Sequence, residues 1–337
     1  MTYVSTGLIQ ATDYNGFVST NSGASANINA TWGQTTVGAG YGQGNITTVA
    51  INDTVTATKW SDLVNKISNM ASHQGTTITS RSAPVATNLI QVLANVNTDI
   101  TNCYNSRDNA LTVGTPYGTW TGSTAKTTPT GSGSTAWTIT FTHTITFANN
   151  TAFNNFFNCG GRIKWDVAKS STGTLADPEW NDLATTLCGD IYLTGSAGSK
   201  NIVSVPYTGT TKIGGTGGAT TLATATGAFA LTTSPVTLYK QFADTAPYTG
   251  QYIQLNASVN SATPTVITFT TTWVDPGGSG AGSSDNISGG TDTPSPNTTI
   301  VGTAPTTLVT YIPPETTYIT NTWGSGGSVP TIAAAIT

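Results

Sequence analysis

The sequence predicts an α+β protein, mainly β, in three parts: an N-terminal helical region, an antiparallel β-sandwich-like domain and an extended C-terminal arm. Three observations carry this. Apolar residues repeat at helical spacing mainly within residues 1–112. Alternation of apolar and polar residues marks several segments of residues 133–275, the pattern of half-buried strands. Beyond Asp275-Pro276, residues 276–337 turn to Gly, Ser, Thr and Pro, the composition of linkers and extended segments. A Gly/Thr/Pro stretch, residues 113–132, reads as a linker between the first two parts.

The helical region contains one pattern twice. Ile9-Gln-Ala-Thr-Asp-Tyr-Asn-Gly-Phe-Val and Val55-Thr-Ala-Thr-Lys-Trp-Ser-Asp-Leu-Val align without gaps. Thr12 and Thr58 stand where an N-cap belongs. Tyr14, Phe17 and Val18, and then Trp60, Leu63 and Val64, fall on one helix face. The second copy continues through Ile67 and Met70 to about His73. A third helix is expected from Pro84 to about Arg107, with Leu89, Val92, Leu93, Val96 and Ile100 as its stripe. Between the copies lies a glycine-rich loop holding Trp32 and Tyr41. Its Gly-Ala-Gly-Tyr-Gly-Gln-Gly run lacks the Lys-Ser/Thr ending of a phosphate loop, so it reads as a packing loop.

In the β region, Trp137, Ile139, Phe141, His143, Ile145 and Phe147 occupy every second position, with Thr at most positions between. A short helix at Thr151–Phe157, a strand at Arg162–Lys169 and a second short helix at Pro178–Leu187, capped by Asp177, follow. Residues 189–235 carry little signal. Strands resume at Val236–Phe242, Gln251–Val259 and Thr265–Val274. In the arm, Leu308, Val309, Tyr311, Ile312, Tyr318, Ile319 and Trp323 are too apolar for an idle tail. The expectation is a segment that adds a strand to another chain.

Composition narrows the function. Only 8% of residues are charged, against about 25% in ordinary soluble proteins. Hydroxyls and amides must cover the surface, which suits a subunit surrounded by other subunits. Net charge is −4 and no Lys/Arg cluster occurs. Nucleic acid is therefore not expected as a partner. No signal peptide pattern and no apolar run of membrane-spanning length is present. Cys103, Cys159 and Cys188 show no metal or disulfide pattern and read as buried thiols. The Asn-x-Ser/Thr sites, such as those at Asn29 and Asn256, read as products of an Asn- and Thr-rich chain.

Chemistry-bearing residues are few. His73 ends a helix and His143 sits in a strand, neither in a catalytic motif. Asp177, Glu179 and Asp182 form the densest acidic cluster; they fit a helix start, with a polysaccharide-degrading carboxylate pair as the alternative. Asp285 and Asp292 lack the spacing of a calcium loop. The sequence thus points to no catalytic residue, cofactor or metal. The candidate interface residues are Trp32, Tyr41, Trp120, Leu308, Tyr311, Ile312, Tyr318 and Trp323. Trp32, Tyr41, Tyr117 and Trp120 lie in Gly/Thr-rich loops, where core packing, a subunit interface and a glycan contact all remain open.

Several stretches carry a resemblance. They are Ile9-Gln-Ala-Thr-Asp-Tyr-Asn, Gly40-Tyr-Gly-Gln, Val55-Thr-Ala-Thr-Lys-Trp-Ser-Asp-Leu and Phe153-Asn-Asn-Phe-Phe-Asn-Cys-Gly-Gly-Arg-Ile-Lys-Trp. Pro247-Tyr-Thr-Gly-Gln-Tyr-Ile-Gln-Leu and Thr272-Trp-Val-Asp complete them. In this order they resemble virion structural proteins of T4-like cyanophages and related marine tailed phages. The resemblance implies a place in the tail, neck or baseplate, assembly in the host cytoplasm, and no enzymatic activity. It also implies a homo-oligomer, with a trimer as the first guess, contacting other virion proteins. A receptor- or glycan-binding tail module and a capsid decoration protein are the alternatives. Residues 276–337 lie outside the resemblance.

Overall fold

The computed structural model describes residues 11–19, 27–50, 52–85, 95–122, 136–170, 176–276, 305–324 and 331–336. Four helices come first: α1 (Ala11–Val18), α2 (Ile28–Trp32), α3 (Ala57–Gln74) and α4 (Val96–Asn105). α1 and α3 carry the two copies of the repeated pattern, and the copies pack on each other. The Tyr14 ring meets its counterpart Trp60 edge-on at 5.5 Å, and Phe17 meets the same ring at 6.2 Å. The expected caps shift. Thr56, not Thr58, caps α3, its side chain accepting from the Lys59 amide, and Thr12 lies inside α1. Ala57 is a strong helix former, so the helix starts at the earlier hydroxyl. Gly75 ends α3 at φ 71°, a left-handed conformation that glycine adopts without strain. Pro84 lies outside any helix, and its carbonyl accepts from Ser61 Oγ; α4 begins only at Val96. Residues 86–94 of the expected third helix lie outside the described residues.

The segment from Gly33 to Ala50 runs without regular structure, yet much of its backbone is hydrogen-bonded. Asn29 donates to the Ile46 carbonyl and accepts from the Ile46 amide, both at 2.9 Å. Asn15 does the same to Val49, both at 2.8 Å. Each amide side chain mimics a strand neighbour, offering one donor and one acceptor to one peptide group. Asn15 and Asn29 thus stand in for a missing strand.

Two antiparallel sheets follow. The five-stranded sheet has the order β1 (Tyr117–Gly122), β12 (Thr306–Ile312), β3 (Arg162–Ala168), β4 (Asp190–Leu193), β7 (Thr210–Ile213). The six-stranded sheet has the order β13 (Thr331–Ile336), β2 (Trp137–Thr146), β11 (Val266–Asp275), β10 (Tyr252–Val259), β9 (Val236–Phe242), β8 (Thr221–Leu222). A separate hairpin pairs β5 (Lys200–Ile202) with β6 (Val205–Tyr207). The strands expected near 137–147, 162–169, 236–242, 251–259 and 265–274 are present. Residues 189–235, silent in the sequence, supply five more short ones. α5 (Asn150–Asn158) fills the place of the first short helix. α6 (Ala176–Asp182) starts ahead of Pro178 and runs on as a π-helical turn, Leu183–Cys188.

Two expectations are corrected here. The linker of residues 113–132 contains β1, because Thr119 and Thr121 alternate with Trp120 in a true edge strand; residues 123–135 lie outside the described residues. The arm does add strands, but to its own chain. β12 sits between β1 and β3, with Thr307, Val309 and Tyr311 buried. β13 adds to the edge of β2. A tethered strand meets its own sheet at a far higher effective concentration than a separate copy offers. Residues 277–304 lie outside the described residues.

The main hydrophobic core runs from Tyr14 in α1 to Trp323, beside a small cluster of Ala110, Ile202 and Tyr207, so the helices and sheets are not separate bodies. α5 joins them. Asn158 donates to the carbonyls of Thr36 and Gly40 and accepts from the Gly38 amide. Phe153, Phe156 and Phe157 pack on Phe147, and Phe156 stacks on Tyr311 at 4.4 Å. Gln43 clamps the C-terminal segment, donating to the Thr320 carbonyl at 2.9 Å and accepting from its amide at 3.0 Å.

Candidate assembly surface

Five of the eight candidate interface residues are core residues. Trp32, Tyr41, Tyr311, Ile312 and Trp323 are all buried. Trp32, expected in the loop, instead ends α2, and the glycine-rich loop folds back over the helices, so both Trp32 and Tyr41 fill the protein's own interior rather than meeting a partner. The Tyr41 hydroxyl donates to the Arg107 carbonyl at 3.0 Å and accepts from Gln74 Nε2 at 2.6 Å. Lys66 Nζ lies 5.0 Å from the Trp32 ring centre. Leu308 is half-buried. Only Trp120, 53% exposed, and Tyr318, 39% exposed, present a large face to solvent. Tyr117, 45% exposed, joins Trp120 on β1.

β1 is pinned from its inner side. Thr121 Oγ1 lies 3.1 Å from His143 Nε2 of β2. Burial lowers the His143 pKa to about 4, opposed by a backbone hydrogen bond to Thr119, so the ring stays neutral near pH 7. Trp120 points to the opposite face, level with Leu308 of β12. Gly118 lets the Leu308 side chain lie across β1: a Cβ there would come 3.0 Å from Leu308 Cδ1 and 2.7 Å from Thr310 Oγ1. Indole and leucine thus form an apolar spot at the sheet edge.

The expected acidic cluster is reassembled by the fold. Glu179, Asp182 and Asp244 bring carboxylate oxygens within 4.8 Å of one another. Asp244 follows β9 and is far from the others in sequence, which no local spacing could reveal. Glu179 is buried, which raises its pKa; the Thr245 amide, 3.4 Å from Glu179 Oε1, opposes this. Such a cluster is common on proteins without a bound ion, and no role is assigned to it. Asp285 and Asp292 lie outside the described residues. The three cysteines are buried free thiols, as read from the sequence. Burial pushes Cys103 and Cys188 up to about 12, which keeps them protonated and unreactive. A cleft of about 350 Å³, lined by Val37, Phe153, Phe229 and Leu231, brings together no titratable group among the described residues.

Among the described residues no helix is long and apolar enough to cross a membrane. Comparison with known proteins gives no match: no protein family, curated protein or solved structure corresponds to this chain.

Proposed function

We propose that this chain is a structural subunit of a tailed-phage virion, in the tail, neck or baseplate, that works by assembling with copies of itself and with its neighbours. One observation carries the assembly reading: β1 ends the five-stranded sheet in six uncharged residues whose Trp120 is half out in solvent. A free monomer gains nothing from such an edge, whereas an assembled subunit covers it. The placement on a virion rests on the sequence resemblance. The low charge adds support, since surfaces of hydroxyls and amides can meet without opposing ions.

The two sheets are read as a β-sandwich. Trp165 of β3 donates to Thr271 Oγ1 of β11 at 2.8 Å and packs on Tyr239 of β9 at 5.8 Å. β1 meets β2 through Thr121 and His143. These contacts cross from sheet to sheet at both the edge and the middle, as in face-to-face packing.

The test is localisation. Antibodies to the purified chain, applied to intact particles of the phage that encodes it, should label tail, neck or baseplate. A chain found only in the soluble fraction of the infected cell would overturn the reading. Exposed Trp120 also suits stacking on a sugar ring, which gives a second reading as a receptor-binding module. Glycan-array binding lost in Trp120→Ala would favour it.

A further inference from the structure

The two sides of the sheet pair are finished differently. On one side lie β7 and β8. β7 is four residues long and carries Lys212, whose Nζ donates to the Leu187 carbonyl at 2.8 Å and to the Gly217 carbonyl. Thr216 and Gly217 bond back to Thr186 and Leu187, so the chain covers this side itself. β8 has two residues. On the other side lie β1 and β13, each six residues long and without a charge or a proline. β1 and β13 lie close to each other, yet among the described residues no strand hydrogen-bonds to the outer edge of either. Soluble proteins guard long edges with lysine, proline, bulges or shortness. Only one side of this protein follows that practice.

The sequence of β1 says what meets it. Residues 118–122 read Gly-Thr-Trp-Thr-Gly, the same in both directions. We propose that β1 pairs antiparallel with β1 of a second copy, about a two-fold axis through Trp120. This rests on the assembly reading and names the partner and the contact.

The geometry follows from the pleat. A two-fold axis normal to the sheet keeps inner faces inner, so paired residues must share parity. Centred on Trp120, Gly118 falls opposite Gly122 and Thr119 opposite Thr121. Trp120 falls opposite its own copy. On the outer face each indole is then flanked by glycines of both strands; Gly122 leaves it room, while Leu308 lies over Gly118 and offers the indole an apolar contact. On the inner face Thr meets Thr. Aromatic pairs and Thr–Thr pairs are favourable cross-strand neighbours, and no like charges oppose each other. A three-fold ring needs two different surfaces to meet; a palindrome matches like with like and supports the two-fold contact instead.

The test uses the full chain in solution. Sedimentation equilibrium should show a dimer, and Trp120→Lys, which sets two ammonium groups face to face, should weaken it by roughly tenfold or more. Circular dichroism melts should leave the fold of this exposed-site variant unchanged. A second variant, Trp120→Cys, should form an intermolecular disulfide on mild oxidation, because directly opposed antiparallel residues bring Cα atoms to about 4.5–5.5 Å. The three native thiols are buried and do not compete. A wild-type monomer at high concentration would overturn the proposal. So would a dimer that survives Trp120→Lys and fails to cross-link through Cys at position 120. Absence from virions would remove the proposed function and leave the dimer standing. A monomer that still incorporates into virions would do the reverse.

Discussion

Acid should act on this protein through His73. The ring is buried in α3, with Nε2 donating to the Cys159 carbonyl at 3.0 Å, while Nδ1 is buried without a partner. Protonation would place an N–H at Nδ1 with nothing to accept it. Burial lowers the His73 pKa from 6.5 to about 4; the bond to Cys159 and the charge of Glu315 oppose this. Above pH 6.5 both the folded and the unfolded chain hold the ring neutral, so it has no effect on stability. As pH falls below 6.5 the unfolded chain takes the proton first, and the fold loses stability until about pH 4, where the folded protein titrates too. The loss at pH 4.5 is about 2.5 kcal/mol, from the difference in proton binding. Urea unfolding of wild type and His73→Gln, at about pH 7.5 and 4.5, isolates it: carboxylates and His143 titrate in both and cancel. Wild type should lose about 2.5 kcal/mol more than the variant between the two pH values. Equal losses would mean that His73 is not buried neutral, and the reasoning would fail.

Asn15→Ala should cost about 2–4 kcal/mol, because it leaves the buried Val49 amide and carbonyl without partners; urea melts measure it. Trp165→Phe keeps an aromatic ring but removes the hydrogen bond to Thr271 and leaves a cavity where the larger indole was buried, for a loss of about 2–4 kcal/mol in the same assay. Gln43→Ala should speed amide exchange at residues 318–323 while β12 stays protected, since the clamp holds only the segment after that strand. Deleting residues 305–337 should abolish cooperative melting, because β12 is an interior strand of the five-stranded sheet. Deleting residues 325–337, which removes only the edge strand β13, should leave a folded protein by circular dichroism.

The sequence by itself determined the elements whose periodicity is strong. The faces of α1 and α3, the alternation of β2, β10 and β11, and the phenylalanines of α5 are all legible, because each buries one side against a common core. The three buried thiols were legible too. What only the tertiary structure decided is where paired residues meet. An exposed and a buried tryptophan look alike in a Gly/Thr-rich stretch: Trp32 and Trp120 have similar neighbours in sequence, yet one lies under a returning loop and the other on a sheet edge. The strand β12 has the right alternation, but nothing local says that its partners are β1 and β3 of the same chain. Asp244 joins Glu179 and Asp182 only through the fold. Burial periodicity is a local property that a single segment records. Partner choice depends on which distant backbone is still unpaired, and that is set by the whole chain at once.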